Sequence, residues 1–167
     1  MTKIFTVSRG EVTGIGKLKV FPKSSFPYEI PMLSFLVVKI NSDAYVSTCI
    51  QLQVDGYGED PEKAREDMRE NCIEFLHENF SNPKAREKCW ENLHTLFAGS
   101  SQELWVAYRT VQLDLAEQGV STDITSFLID RIADLEQQIA VLKAVKEKTA
   151  NGDTSFEAKI VDYRATA

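Results

Sequence analysis

The sequence lacks three features that would each point to a particular class of protein. Its longest apolar runs, such as FLVV at 35–38, fall far short of the roughly 20 residues that a bilayer span requires. The N-terminal stretch MTKIFTVSRGEV has no apolar core of the kind that a secretory signal needs. Only three cysteines occur, Cys49, Cys72 and Cys89, and none has CxxC spacing. These absences predict a reduced, cytoplasmic protein with no membrane association.

Basic clusters are missing as well. The 167 residues carry 19 Lys and Arg against 25 Asp and Glu, a net charge of −6. Broad binding to nucleic-acid phosphates needs clustered Lys and Arg, so this balance argues against a nucleic-acid partner. An acidic surface instead suits a small basic protein as a partner, although solubility alone also explains such a charge. Hydrophobic residues make up 43% of the chain, which is enough for a real core.

The first third of the chain has the patterns of short strands. KIFTVS (3–8) and GKLKVF (16–21) flank a turn that contains glycine, and SFLVVKI (34–40) is a stronger strand. Three prolines in PKSSFPYEIP (22–31) predict an extended connector. We expect an antiparallel sheet.

The clearest alternation in the sequence is in YVSTCIQLQV (45–54). The residues on its dry face are Val46, Thr48, Ile50, Leu52 and Val54. A sheet that is covered on one side has this pattern, so the other face is expected to be exposed and wetter. That face also holds Cys49, and the residues on it that we expect to meet a partner protein are Tyr45, Ser47, Gln51 and Gln53.

Beyond residue 60 the apolar spacing becomes helical. From Pro61 to Phe80 the apolar residues recur at spacings of four and three. A second helix is expected from Asn82 and Pro83 to Gly99, and a third over Gln102–Gln118. The third helix carries the apolar stripe Leu104, Trp105, Tyr108, Val111 and Leu115.

A long final helix is expected between about residues 122 and 149. Its apolar seam has Ile at heptad position a and Leu at position d, and consists of Leu128, Ile132, Leu135, Ile139 and Leu142. Two partners are open for this helix: the third helix, in an antiparallel hairpin, and a second copy of the chain, in a homo-oligomer. After it, TSFEAKIVDY (154–163) alternates like a late edge strand.

The fold class that these patterns predict is α+β. An N-terminal antiparallel sheet is backed by the amphipathic helix from Pro61, and a helical C-terminal region with a long final helix follows. The expected division is an α+β unit over residues 1–80 and a helical unit over residues 81–167.

The stretch VDGYGEDPEKAREDMREN (54–71) allows three interpretations. A phosphate-binding loop is rejected, because no GKS, GKT or GxGxxG follows and the flanking acids repel phosphate. A metal site would use Asp43, Asp55, Glu59 and Asp60. A helix start explains more of the residues, with Asp60 as the N-cap, Pro61 in the first turn and Glu62 favourable to the helix dipole. We therefore predict a strand end and a helix start.

A family resemblance lies in the same region. Its pieces are AYVSTC, the glycines Gly56 and Gly58, EDPEKA, and REN followed by the apolar CIEFL. With their flanks, over residues 34–80, they resemble the HicB-type antitoxin domain, a truncated RNase H-like unit. The resemblance implies a module that recognises another protein. The C-terminal half does not resemble the DNA-binding segment usually attached in that family.

No residues are assigned to catalysis, to a cofactor or to a metal. Nuclease chemistry of the RNase H type needs carboxylates in mid-strand, and neither SFLVVKI nor YVSTCIQLQV contains Asp or Glu. His77 and His94 lie on separate predicted helices without metal-ligand spacing. The interpretation we favour is a non-catalytic binding or regulatory protein. The alternatives are a structural homo-oligomer assembled through its C-terminal helices and an enzyme with an unrecognised pocket.

Overall fold

A computed structural model describes residues 3–23, 30, 32–85, 99–119, 132, 135 and 155–166 of the chain. Within them, six strands form one antiparallel sheet. The strands are β1 (Phe5–Val7), β2 (Gly10–Lys23), β3 (Leu33–Asn41), β4 (Ala44–Cys49), β5 (Val54–Gly58) and β6 (Ser155–Ala165). Helix α1 spans Pro61–Phe80 and helix α2 spans Gln102–Glu117. The predicted α+β class is confirmed.

The long strand β2 organises the sheet because it pairs along both of its edges. On one edge it pairs with β3, and β4 and β5 follow in order. On the other edge β1 pairs with its first residues, with Phe5 opposite Val12, and β6 pairs with the rest, from Gly14 to Lys23. The Thr166 amide extends this line by donating to the Thr13 carbonyl at 2.9 Å.

The C-terminal strand therefore belongs to the N-terminal sheet. The strand predicted at 154–163 is confirmed as β6, which pairs with β2. The expected boundary at residue 80 does not separate two units in the described residues, because segments from both sides of it share one sheet. Of the long final helix, only Ile132 and Leu135 are described, and both are helical. The rest of that helix, and most of the helix expected before Gly99, lie outside the described residues.

Helices cover both faces of the sheet. On one face Met68, Cys72 and Leu76 of α1 pack with Phe35 and Val37 of β3. On the other face the core is formed by residues of β1, β2, β3 and α2, among them Val12, Leu36, Val38, Tyr108, Val111 and Leu115. The expectation of a sheet covered on one side is therefore wrong, since β3 is buried on both faces.

The apolar stripe of the third predicted helix is used by the sheet. Tyr108, Val111 and Leu115 of α2 are buried against it, and Leu104 and Trp105 are partly buried there. The prediction that this stripe pairs with the final helix in a hairpin is therefore wrong, because the sheet already covers the stripe. None of the described helices combines the length and the hydropathy that a bilayer span needs.

The stretch 54–71 contains the whole of β5 and the first half of α1, and the predicted helix start is confirmed. The single strand predicted over residues 45–54 is wrong, because β4 ends at Cys49 and a turn at 50–53 leads into the separate strand β5. The Asp60 side chain accepts a hydrogen bond from the Lys63 amide at 2.8 Å, and Pro61 is the first helical residue. The two glycines lie where α1 touches β5. A Cβ at Gly58 would lie 2.5 Å from the Ala64 backbone nitrogen, and one at Gly56 would overlap the backbone of Met68. Glycine here permits direct contact between a strand and a helix backbone.

We expect Gly56→Ala to lower the free energy of unfolding by about 1–3 kcal/mol, because the added methyl group pushes α1 off the sheet. The measurement is chemical denaturation followed by circular dichroism. Gly119→Ala is the matched control, since none of the described residues lies within 4 Å of its added Cβ, although its φ of +73° opposes the change. A smaller loss in Gly56→Ala than in Gly119→Ala would contradict the close contact.

Candidate partner-binding surfaces

The four strand residues expected to meet a partner occupy three different environments. Ser47 and Gln51 are buried, Tyr45 is partly buried against the core under α1, and Gln53 is exposed. Gln51 accepts a hydrogen bond from the Ser34 amide at 2.8 Å through its side-chain oxygen. The predicted exposure is therefore wrong for Ser47 and Gln51. Gln53 has a φ of 56°, which places it in a turn beyond β4.

Ser47 shows why the sequence pattern predicts exposure for a face that is buried in the structure. It lies opposite Gly56 in the pairing of β4 with β5, directly where α1 approaches most closely. Its hydroxyl is buried without a hydrogen-bond partner among the described residues. A small side chain is required under a closely packed helix, and in the sequence a small polar residue looks like a residue of a wet face.

The outer edge of β5 is closed by side chains of α1. Asp67 accepts a hydrogen bond from the Tyr57 amide at 2.8 Å, and the Asn71 side-chain amide donates to the Asp55 carbonyl at 2.9 Å. An unpaired edge strand offers such groups to other chains, and capping them is one way in which proteins prevent that pairing. A free edge at β5, which could have met a partner strand, is not present.

The outer edge of β6 is touched by the same helix. Arg69 donates from its guanidinium to the Ala158 carbonyl at 3.3 Å, while it also pairs with Glu66 at 2.6 Å. Arg65 stacks over the ring of Tyr163 at 3.7 Å from its centroid. Burial raises the pKa of the Tyr163 hydroxyl, so this residue is a neutral packing element at physiological pH.

The four acids considered for a metal site are engaged separately. Asp55 accepts hydrogen bonds from the Thr48 hydroxyl and from the Arg9 guanidinium, each at 2.6 Å. The hydrogen bond from Arg9 raises the pKa of Arg9. Asp60 caps α1, Glu59 pairs with Lys63, and Asp43 accepts from the Ser42 hydroxyl. Among the described residues no group of three His, Cys, Asp or Glu side chains could hold a metal ion.

Lys17 is a buried charge that the sequence did not reveal. Only 7% of it is exposed, and its ammonium donates to the Ser34 hydroxyl at 3.0 Å and lies 5.3 Å from the Tyr108 ring centroid. A lysine that activates a serine must instead accept the hydroxyl proton. Ser34 is also fully buried. This contact is therefore an anchor between β2 and β3, and no pattern in GKLKVF distinguishes it from a solvated lysine.

The thiols of Cys49 and Cys72 lie in the core between β4 and α1. A hydrogen bond to Cys49 and burial both raise the pKa of Cys72 well above its usual range. A nucleophilic thiol needs the opposite shift and access to solvent. His77 is exposed on α1, and His94 and Cys89 lie outside the described residues.

A row of glutamates follows the outer surface of α1. It consists of Glu62, Glu66, Glu70, Glu74 and Glu78, all of them exposed. Each step of four residues advances roughly 40° around the helix axis, so the row winds slowly over one side of the helix. Arg69 pairs with Glu66 at 2.6 Å and lies 3.6 Å from Glu70. The other three carboxylates have no ion pair among the described residues.

The residues predicted for oligomerisation are described only in part. Ile132 and Leu135 are helical and exposed, while Leu128, Ile139 and Leu142 lie outside the described residues. Two large apolar side chains at a spacing of three are thus uncovered within one chain.

We expect Asp67→Ala to accelerate hydrogen exchange of the Tyr57 amide, because that amide loses the carboxylate that accepts its hydrogen bond. A bond to a charged acceptor contributes about 1.5–3 kcal/mol, which corresponds to a loss of protection of roughly tenfold or more. The measurement is amide exchange followed by NMR. Glu74→Ala, on the outer surface of the same helix, is the control and should leave Tyr57 unchanged. Equal protection of Tyr57 in both variants would show that its amide is not closed by α1.

Comparisons with models of protein families, with curated proteins and with solved structures find no match to this chain. The resemblance to HicB-type antitoxins therefore rests on the residues of the 34–80 region alone.

Proposed function

We propose that the chain is a non-catalytic protein-binding module, similar to HicB-type antitoxins, that binds a small basic protein on the outer surface of α1. The observation that carries this proposal is the exposed glutamate row of α1. A row of this kind offers several carboxylates in a fixed order to lysine and arginine side chains. The resemblance over residues 34–80 includes this helix and implies the same kind of role.

The glutamate row opposes helix stability. Like charges four residues apart destabilise a helix by about 0.2–0.5 kcal/mol for each pair, and the row contains four such pairs in sequence. Arg69 relieves the repulsion near Glu66 and Glu70. Glu62, Glu74 and Glu78 remain available, and a cationic partner would relieve the repulsion that these carboxylates maintain in the free protein.

Other ionisable groups support a binding role over a chemical one. Asp55, Lys17 and Cys72 each have a partner that holds the fold together. Groups of that kind stabilise the scaffold, whereas Glu62, Glu74 and Glu78 are exposed and have no ion pair among the described residues. Their position on the outer surface is what a recognition surface requires.

We expect the triple variant Glu62→Gln, Glu74→Gln, Glu78→Gln to lose a basic protein that co-purifies with the unmodified chain at fixed stoichiometry. The measurement is light scattering and mass spectrometry of complexes purified from the source cell, followed by titration with the purified partner at two salt concentrations. Affinity for the unmodified chain should fall with added salt, because exposed ion pairs are screened.

A matched control removes three charges elsewhere: Glu11→Gln, Asp43→Asn, Glu157→Gln. This variant has the same net charge as the α1 variant and should retain the partner. If both variants bind equally well, the glutamate row is not the recognition surface. If no basic protein accompanies the unmodified chain, the proposed function is overturned.

The second candidate function is a structural homo-oligomer assembled through the final helix, and the exposure of Ile132 and Leu135 favours it. Large apolar side chains in a heptad pattern are typical of a helix that pairs with another helix. We expect Leu135→Asp with Ile139→Asp to reduce the mass in light scattering while circular dichroism retains the strand signal. A mass that is unchanged by these substitutions would contradict this assembly.

A further inference from the structure

A groove of about 440 Å³ lies between β1 and α2. Its lining is Phe5, Thr6, Gln102, Glu103, Val106, Ala107 and Thr110. β1 runs antiparallel to α2 along this groove. The Lys3 ammonium lies 2.9 Å from Asp114 near the end of the helix, and the Ser8 amide donates to Glu103 at 2.6 Å near its start.

β1 has the one outer edge that α1 does not reach. Within the described part of the chain β1 pairs with β2 alone, whereas α1 side chains bind the outer edges of β5 and β6. An edge strand of this kind accepts another strand by backbone hydrogen bonds. The outer edge of β1 thus offers a place for strand addition beside the groove.

Large apolar side chains are uncovered along the same margin. Ile4 is 68% exposed, Val106 is 57% exposed and Leu113 is 44% exposed. Val106 and Leu113 are seven residues apart, which is two helical turns, so they lie on one side of α2 with Thr110 between them. Thr110 is also exposed.

We propose that a second copy of this chain binds at this margin, with the two β1 strands paired antiparallel about a two-fold axis and the two α2 helices side by side. The stripe on α2 is self-complementary under that symmetry. When the axis passes near Thr110, Val106 of one copy meets Leu113 of the other, and the contact is repeated by symmetry. Side chains of each copy then fill the groove between β1 and α2 of the other copy.

Charges at the two ends of the margin fit the same arrangement. Lys3, whose side chain is 61% exposed, lies at one end of β1, and the exposed Glu103 lies at the other. Antiparallel pairing brings Lys3 of each copy, which already pairs with Asp114 and Glu117 of its own chain, towards Glu103 of the other copy, which accepts hydrogen bonds from its own Ser8. A separate peptide would gain only the few hydrogen bonds of a three-residue strand, whereas a second copy adds the contact between the two helix stripes.

The test places a thiol at the expected axis. In a Cys89→Ser background, Thr110→Cys should form a disulfide-linked dimer when treated with oxidised glutathione, as read on a non-reducing gel, because two symmetry-related thiols meet. Glu74→Cys, on the outer surface of α1, is the control and should stay at the monomer position. The unmodified protein should show twice the 18.8 kDa chain mass in light scattering.

A second variant checks the apolar stripe. Val106→Glu with Leu113→Glu changes only exposed positions, so the fold should be retained and the mass should fall to that of one chain. A monomeric unmodified protein would overturn the proposal. A dimer that persists in this variant but is lost with Leu135→Asp and Ile139→Asp would also overturn it. Binding of a basic partner does not require this dimer, so the two proposals fail separately.

Discussion

Contact between α1 and the sheet is the constraint on which the remaining structure depends. Asp67 binds the backbone of β5, and Arg69 binds the backbone of β6, although four strand spacings separate these strands. In a flat sheet that separation is roughly 19 Å, while a helix with its side chains is only about 10–12 Å wide. One helix can bind both margins only because the sheet curls around it. Gly56 makes this possible, since the helix backbone lies directly against the strand.

The curl determines which surfaces are left for other molecules. α1 fills one face, and its side chains bind the Tyr57 amide and Asp55 carbonyl of β5 and the Ala158 carbonyl of β6. α2 fills the centre of the other face, and its contact with β1 leaves the groove at the near margin. Among the described residues, two surfaces of different chemistry stand out. The outer side of α1 is acidic, and the β1–α2 margin is apolar, so each suits a different kind of partner.

The sequence predicted the helices and strands better than it predicted which of them pack together. Periods of two and of about 3.6 located β3, α1 and α2, and cap chemistry placed the helix start at Asp60. The alternation over residues 45–54 located β4 but continued through the turn that separates β4 from β5. Those signals are local, since each depends on residues within a few positions. The pairing of β6 with β2 joins residues separated by well over a hundred positions, and no local pattern encodes that choice.

The errors at the candidate site have the same origin. Ser47 and Lys17 carry polar atoms, and sequence patterns assign polar residues to solvent. Ser47 is buried because only a small side chain fits under α1, and Lys17 is buried because its ammonium reaches the Ser34 hydroxyl and the Tyr108 ring. Both causes are tertiary contacts. The glutamate row was readable in the sequence as a spacing of four, but its exposure depended on which side of α1 faced the sheet.

Binding at the two proposed surfaces would respond to salt in opposite directions, so the two contacts could form independently. At physiological ionic strength charges are screened over about 8 Å, so binding to the glutamates of α1 weakens as salt is added. Burial of Ile4, Val106 and Leu113 removes apolar surface from water, and salts such as sulfate strengthen that contribution. A basic partner on α1 would therefore be released by salt that leaves the proposed contact between copies in place. The separation follows from the fold, because α1 and the β1–α2 margin cover different parts of the sheet.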